Sequence, residues 1–324
     1  MSRIVLAPME GLADDVLRAV LTRTGGYDWC VTEFIRITDT RLPHGHFRRV
    51  SPELNRGSKT PSGTPVRVQL LGSDPGRMAR NAAHLALLQP AGIDINFGCP
   101  TPLVNRNRGG AALLEEPELL HDIMAAIRQA VPAPMLVTAK MRLGITDTRY
   151  ALDCAQALEA GGAQELVVHG RTRQDGYRPQ VRWEWIARIR EAVSIPVIAN
   201  GEVWNEEDYR AIQAVTGCPD VMLGRGAVAD PILTARLRSG EAPDKDRDWA
   251  RIQPLLADFW ERVQRKLENH HTPGRLKQWL GLMRRHYPQA EALYRDVREL
   301  RLGNEITPIL ARHGIELPPQ QAAA

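Results

Sequence analysis

Ile93-Asp94-Ile95-Asn96-Phe97-Gly98-Cys99-Pro100 reads as a short apolar strand, Ile93 to Asn96, running out into a tight turn that carries a cysteine. The run is too short for a helix, and Gly98 and Pro100 are turn formers that bound it on its C-terminal side. The same figure repeats. Runs rich in Val, Ile and Leu occur at Ile4 to Ala7, Trp29 to Thr32, Val66 to Leu71, Met135 to Lys140, Glu165 to His169, Pro196 to Asn200 and Asp220 to Leu223, making eight in all. Amphipathic stretches of helical length fit between them: Pro75 to Leu88, Pro117 to Ala130, Tyr150 to Ala160, Trp183 to Val193 and Glu206 to Val215. Strands buried on both faces and joined by crossover helices make a parallel sheet. Eight such units in about 240 residues predict an α/β fold of the (β/α)8 TIM-barrel kind.

Working outward, the barrel is expected to occupy residues 1–240 and an all-helical domain residues 241–324. Glu-Ala-Pro-Asp-Lys-Asp-Arg-Asp follows Gly240 as a charged break, and no strand-like run comes after it. In the segment Arg275 to Arg285, Leu276, Trp279, Leu280 and Met283 recur at helical spacing, which predicts a docked helix with a basic outer surface. Pro318 to Ala324 read as a frayed tail.

With 43% hydrophobic and 25% charged residues, the chain has the composition of a globular protein and not of a disordered one. Acidic residues follow Ile4 to Met9 too soon for a signal peptide or a spanning helix, so a cytoplasmic protein with no membrane partner is expected. Cys30, Cys99, Cys154 and Cys218 lie far apart without a C-x-x-C pair, which points to neither a metal site nor a disulfide framework. The net charge is +4, and its distribution says more than its size: between Glu261 and His286 seven Lys or Arg face two Glu. That surface suits an anionic partner. Nothing suggests an obligate protein partner, and a monomer is the expectation.

In such barrels the chemistry sits where the strands run out at the C-terminal face. Here the strand ends carry Met9 and Glu10, Glu33, Gln69, Asn96 with Cys99 just beyond, Lys140, His169, Asn200, and Gly224 with Arg225. Asn200-Gly201-Glu202 and Gly224-Arg225-Gly226 close the seventh and eighth strands, where barrels commonly bind phosphate; glycine lets backbone amides approach an anion and Arg225 adds charge. Pro8, Met9, Gln69, Lys140 and His169 would surround a flat polar ring held by that phosphate, and FMN is such a ligand. A thiol at Cys99 could protonate a carbon as hydride reaches its neighbour. Cys30 in a strand, Cys154 in a helix and Cys218 in a connection are expected to be structural.

Taken in order, Leu6-Ala7-Pro8-Met9-Glu10-Gly11, Thr32-Glu33-Phe34, Val68-Gln69-Leu70, Asn96-Phe97-Gly98-Cys99-Pro100, Gly109-Gly110-Ala111, Lys140-Met141-Arg142, His169-Gly170-Arg171-Thr172, Asn200-Gly201-Glu202 and Gly224-Arg225-Gly226 resemble the signature set of the tRNA-dihydrouridine synthases. Arg275-Leu276-Lys277-Gln278-Trp279-Leu280, Arg298 and the stretch Pro61 to Gly72 resemble the bacterial branch acting on uridine 16 of the D-loop. The resemblance implies that NADPH reduces FMN, that reduced flavin gives hydride to uracil C6, and that Cys99 protonates C5. It assigns Pro8, Met9, Glu10, Gln69, Lys140, His169, Asn200, Gly201, Glu202, Gly224 and Arg225 to FMN, and Asn96 to the uracil edge. It makes Arg36, Tyr177, Arg275, Lys277 and Arg298 the tRNA contacts. One departure is the loop Thr101 to Gly110, more basic and poorer in glycine than the family's, which brings Arg106 and Arg108 toward RNA. The chain has no G-x-G-x-x-G unit, so the nicotinamide would visit the flavin face transiently. A reductase of free pyrimidines, a Schiff-base aldolase using Lys140 and a non-catalytic RNA-binding barrel are the alternatives.

Overall fold

The computed structural model describes residues 2–106, 108–178 and 180–317, so the expected tail at 318–324 lies outside the described residues. Eight parallel strands close on themselves in sequence order: β1 (Ile4–Leu6), β2 (Trp29–Arg36), β3 (Val66–Leu71), β4 (Ile93–Phe97), β5 (Val137–Arg142), β6 (Leu166–His169), β7 (Val197–Asn200) and β8 (Val221–Leu223). β1 and β8 pair as Ile4↔Val221, Val5↔Met222 and Leu6↔Leu223, which completes the ring. The TIM barrel expected from the eight apolar runs is therefore the observed fold.

Helices alternate with the strands: α1 (Asp15–Thr22), α2 (His44–Val50), α3 (Pro75–Ala86), α4 (Pro102–Arg106), α5 (Pro117–Ala130), α6 (Ala151–Ala160), α7 (Trp183–Ala192) and α8 (Glu206–Thr216). Their starts follow from capping. Asp74 accepts from the Arg77 amide at 2.7 Å with Pro75 in the first turn of α3, and Asn205 accepts from the Asp208 amide at 2.8 Å ahead of α8. The inner wall is packed by Val5, Ala7, Trp29, Val31, Val167, Ile198 and Met222, so the barrel is a filled core and not a channel.

Two strands differ from expectation. β2 runs on from Thr32 to Arg36 because its ladder with β3 shifts register between Val31 and Phe34, and the Thr32 hydroxyl accepts from the Gln69 amide at 3.0 Å across the shift. The polar pair Thr32-Glu33 hid that continuation. β5 spans Val137 to Arg142 instead of Met135 to Lys140, since the Met135 amide closes a turn onto the Pro132 carbonyl. Lys140 and Gln69 thus lie inside their strands, with one or two residues of ladder beyond them.

The chain forms two compact units, one of residues 1–15 with 27–224 and one of 16–26 with the chain from Arg225 onward. This partition differs from a cut at residue 240. In the second unit the Thr234 hydroxyl donates to the Gly25 carbonyl at 3.0 Å, Arg238 Nε donates to the Gly26 carbonyl at 3.0 Å, and Arg23 pairs with Asp258. These bonds join the turn after α1, residues 23–26, to α10 (Leu233–Ser239) and α11 (Lys245–Lys266), which follow the short α9 (Arg225–Ala229). After them come α12 (Thr272–Met283), α13 (Pro288–Val297) and α14 (Gly303–Arg312), with no strand among the described residues past β8. Leu276, Trp279, Leu280 and Met283 are buried, as their spacing predicts, with Phe259 edge-on to Trp279 at 4.7 Å. Among the described residues no helix is long and apolar enough to cross a membrane.

Candidate active site at the mouth of the barrel

Side chains in a strand alternate between its faces, so residues two apart share one. Asp94 and Asn96, Thr138 and Lys140, Val167 and His169, and Ile198 and Asn200 each share the inward face, while Ile95, Ala139, Val168 and Ala199 pack outward and are fully buried. Lys140 Nζ donates to Asn200 Oδ1 at 2.9 Å, from β5 to the non-adjacent β7, a span open only to side chains inside the barrel. Asn200 Nδ2 donates in turn to the Met222 carbonyl at 2.8 Å.

From β5 through β4 and β3 a chain of hydrogen bonds leads to the cysteine. Thr138 donates to Asp94 Oδ1 at 2.5 Å, Gln69 Nε2 to Asp94 Oδ2 at 2.7 Å, and Asn96 Nδ2 to Gln69 Oε1 at 2.7 Å. Asn96 Oδ1 then accepts the backbone N–H groups of both Gly98 and Cys99, each at 2.9 Å. Asn96 therefore spends its carbonyl on shaping the turn that presents Cys99. Burial pushes the Asp94 carboxyl up from its ordinary value, against the pull of Thr138 and Gln69.

Cys99 is buried against Leu71, Val104 and Phe34, and its Sγ lies 3.3 Å from Thr101 Oγ1. Asn105 Nδ2 ties α4 to this turn by donating to the carbonyls of Cys99 (2.9 Å) and Thr101 (2.8 Å). Gly110 sits in the left-handed region at φ 60°, where a Cβ would fall 2.9 Å from that of Cys99. On the far side Arg142 Nε donates to the Gly98 carbonyl at 2.9 Å, and its guanidinium lies 5.5 Å from the ring centre of Tyr177. Tyr177 is 58% exposed.

Lys140 is only partly exposed, and burial first, then the nearby Arg142, pull its ammonium down to about 7, with Asp94 opposing. At the lip, partial burial and the Glu33 carboxylate push Glu10 up to about 7. His169 Nε2 lies 3.3 Å from Arg171 NH1. A guanidinium only donates, so Nε2 accepts and the ring proton resides on Nδ1. Arg171 is fully buried and ion-paired with Glu202, whose other oxygen accepts from Trp204 Nε1 at 2.7 Å. Gly201 packs on His169, where a Cβ would come 2.9 Å from the ring. Between β8 and β1, a Cβ built on Gly224 would be in ordinary van der Waals contact with Ala7 and Met9, each at 3.9 Å.

The structure thus brings Gln69, Asn96, Cys99, Lys140, His169, Asn200 and Gly201 to one end of the barrel, with Met9 beside Gly224. Pro8 is partly exposed on the same stretch, Arg36 is the last residue of β2, and Arg225 opens α9 in the second unit. Arg275, Lys277 and Arg298 also belong to that unit. Lys277 Nζ donates to the Leu300 carbonyl, Arg275 donates to Gln278 Oε1 at 2.6 Å, and Arg298 is exposed beside Glu299. Burial and then Arg301 pull the Lys277 ammonium down, with Glu305 opposing. Asp94 and Thr138 join the site from outside any motif, and Arg142 and Arg171 lie in motifs that assign them no task. Period-two parity from Asn96 and Lys140 puts Asp94, Thr138 and Arg142 on the same faces. Cys154 is pushed up to about 12 by burial, and Cys218 is raised by the same cause, as suits buried structural thiols.

The family model described as dihydrouridine synthase matches residues 5–307, which spans the whole barrel and most of the helical unit. The chain belongs to the dihydrouridine synthase family. It is 53% identical over 312 residues to the tRNA-dihydrouridine(16) synthase of Aquipseudomonas alcaligenes, covering 95% of this chain and 99% of that one. To the enzyme of the same name from Ralstonia nicotianae it is 52% identical over 324 residues, covering 100% and 99%. Among solved structures it is similar to histamine dehydrogenase from Rhizobium sp. 4-9, with TM-score 0.58 at 13% identity over 96% of this chain and 61% of that chain. Its TM-score to a 2-naphthoyl-CoA reductase complex is 0.56 at 12% identity, over 74% and 50%. At such identities the likeness speaks for the barrel alone. Family membership makes the protein a flavin-dependent oxidoreductase, and the aldolase alternative for Lys140 falls away.

Proposed function

We propose that the protein reduces the C5–C6 double bond of a uridine in the tRNA D-loop, at position 16, as a monomer in the cytoplasm. FMN is the bound cofactor and NADPH the reductant. The donor set suits a flavin: Lys140 offers a cation beside Asn200, Gln69 an amide, and Met9 and Ala7 beside Gly224 an apolar edge for a flat ring, with His169 at the same end of the barrel. Arg225 and the turn at Asn200-Gly201-Glu202 would hold its phosphate, and Pro8 and Glu10 its edge. FMN supplies hydride for uracil C6.

The observation that carries this reading is the Cys99 thiol, fixed by Asn96 and Asn105 at the same mouth as Lys140. Cys99 Sγ would give its proton to C5, and Arg142, bonded through Nε to the Gly98 carbonyl of the same turn, would place a cation near the charge left on it. Solvent then reprotonates the thiolate. Asn96 retains one amide hydrogen beyond its bond to Gln69 for the uracil edge. Arg36 and Tyr177 would contact RNA on the barrel, and Arg275, Lys277 and Arg298 on the helical unit.

The test is incubation with unmodified bulk tRNA, FMN and NADPH, followed by nuclease digestion and mass spectrometry. Dihydrouridine confined to position 16, absent with Cys99→Ala, is the expected result. Dihydrouridine elsewhere would overturn the position and keep the reaction. None at all, with flavin still reduced, would favour a free pyrimidine as substrate.

A further inference from the structure

Five large apolar side chains among the described residues of the barrel unit reach solvent: Tyr150, capped by Arg149 at the start of α6, and two pairs. Leu87 and Val215 stand where α3 and α8 finish, at the end of the barrel away from the mouth. Leu103, 63% exposed, and Tyr177 flank the Cys99 turn. Leu103 lies in α4, only four residues beyond the thiol, with Thr101 and Pro102 also exposed beside it. Its neighbours fix its direction. Val104 is buried against Leu71 and Cys99, Asn105 clamps the helix to the carbonyls of Cys99 and Thr101, and the Gly109 amide donates to the Val104 carbonyl at 3.2 Å. Leu103 is thus an apolar knob held at a set distance from the reacting cysteine.

A uridine can reach Cys99 only after leaving its stack, which opens a gap between its neighbours and exposes their faces. Apolar side chains wedged between base steps offset that loss in other nucleic-acid complexes. The geometry points to Leu103 as the wedge that takes the place of the extruded uridine and packs on the adjacent base of the tRNA. Charge agrees with this occupant. Arg106, one helical turn on, is exposed and suited to the neighbouring phosphate, whereas Arg108 is turned away onto Glu116 at 2.7 and 2.8 Å. The inference rests on the tRNA reading above and adds to it a residue that opens the RNA without touching the flavin chemistry.

The experiment compares wild type, Leu103→Ala and Leu103→Met, each loaded with FMN. Two substrates are used: tRNA carrying 2-aminopurine next to the target uridine, and a short single-stranded oligonucleotide with the same uridine already unstacked. Leu103→Ala is expected to blunt the fluorescence rise on binding and to lower kcat/KM on tRNA by about tenfold, the scale of one lost base contact, with Leu103→Met restoring most of it. On the oligonucleotide, Leu103→Ala and wild type should agree. Equal kcat/KM on tRNA overturns the wedge, as does an equal loss on both substrates or a parallel loss of flavin reduction by NADPH, either of which marks a collapsed loop. Wild-type protein that leaves both RNAs unreduced overturns the proposed function, and the wedge with it.

Discussion

Both ends of the barrel bury charge, and they do so in opposite ways. At the N-terminal end Arg3 and Arg67 each pair with Glu165, Arg3 also meets Asp220 at 2.6 Å, and the Arg67 guanidinium lies 3.9 Å from the ring centre of Trp29. Every charge there has an opposite charge or an aromatic face. At the mouth Lys140 has one amide oxygen, Asp94 has a hydroxyl and an amide, and neither has a direct counter-ion within its own cluster. The contrast separates a closed ionic plug, which locks the register of the strands, from a set of under-satisfied groups whose missing partner is a ligand. Buried ionisable groups are thus a sign of function only where their partners are neutral.

The widest gap between the ends should appear on substituting their central groups. Cys99→Ala should lower the single-turnover rate of dihydrouridine formation by about 10²–10⁴, the usual worth of a general acid, with FMN content unchanged. An unaltered rate would move the acid elsewhere. At the other end Glu165→Leu strands the buried Arg67 guanidinium, while Arg3 keeps Asp220, and should remove about 3–5 kcal/mol from urea unfolding, with turnover of the folded fraction intact. A change in turnover at constant stability would break the division of labour.

Lys140→Met comes next. It should weaken FMN by about tenfold, as measured by flavin fluorescence, the scale of one charged hydrogen bond. For wild type, the Lys140 ammonium exists below about 7 and is lost above it, so FMN affinity should decline from pH 6 to 8, and Lys140→Met should flatten that decline. Glu10 titrates in the same range and adds negative charge as pH rises, but it is only partly buried and solvent screens it. Stability of the apoprotein should move the other way. A folded-state value lowered to about 7 means that the unfolded chain binds more protons between 7 and the ordinary lysine value, so stability rises with pH across that window. The smallest effect is on the helical unit, where Arg298→Ala should reduce the slope of log tRNA affinity against log salt by about one.

Much of this site was legible because the barrel enforces a rule the sequence obeys: apolar run, polar strand end, glycine turn. Asn96, Lys140, His169 and Asn200 could be named from that rule, and Leu276, Trp279, Leu280 and Met283 from helical spacing. Parity alone puts Asp94 and Thr138 on the faces of Asn96 and Lys140, but only the closed ring shows that those faces turn inward and that the two side chains bond each other. Arg142 and Arg171 sit in recognisable motifs, yet their tasks, holding the Gly98 carbonyl and setting the proton on His169, depend on loops far apart in the chain. The division of units was hidden for the same reason. Residues 16–26 fall by sequence order within the expected barrel of 1–240, and their bonds to Thr234, Arg238 and Asp258 draw them to the second unit.

By itself the sequence determined the number and order of strands, the apolar faces and the identity of the thiol, because periodicity and turn chemistry are local. The tertiary structure decided what is paired with what: that β2 continues past Thr32-Glu33, that Asn96 spends its carbonyl on the Cys99 turn, that Lys140 has a neutral partner, and that Leu103 stands in solvent. Those outcomes rest on distances between residues remote in sequence, and closure of the barrel is what sets them.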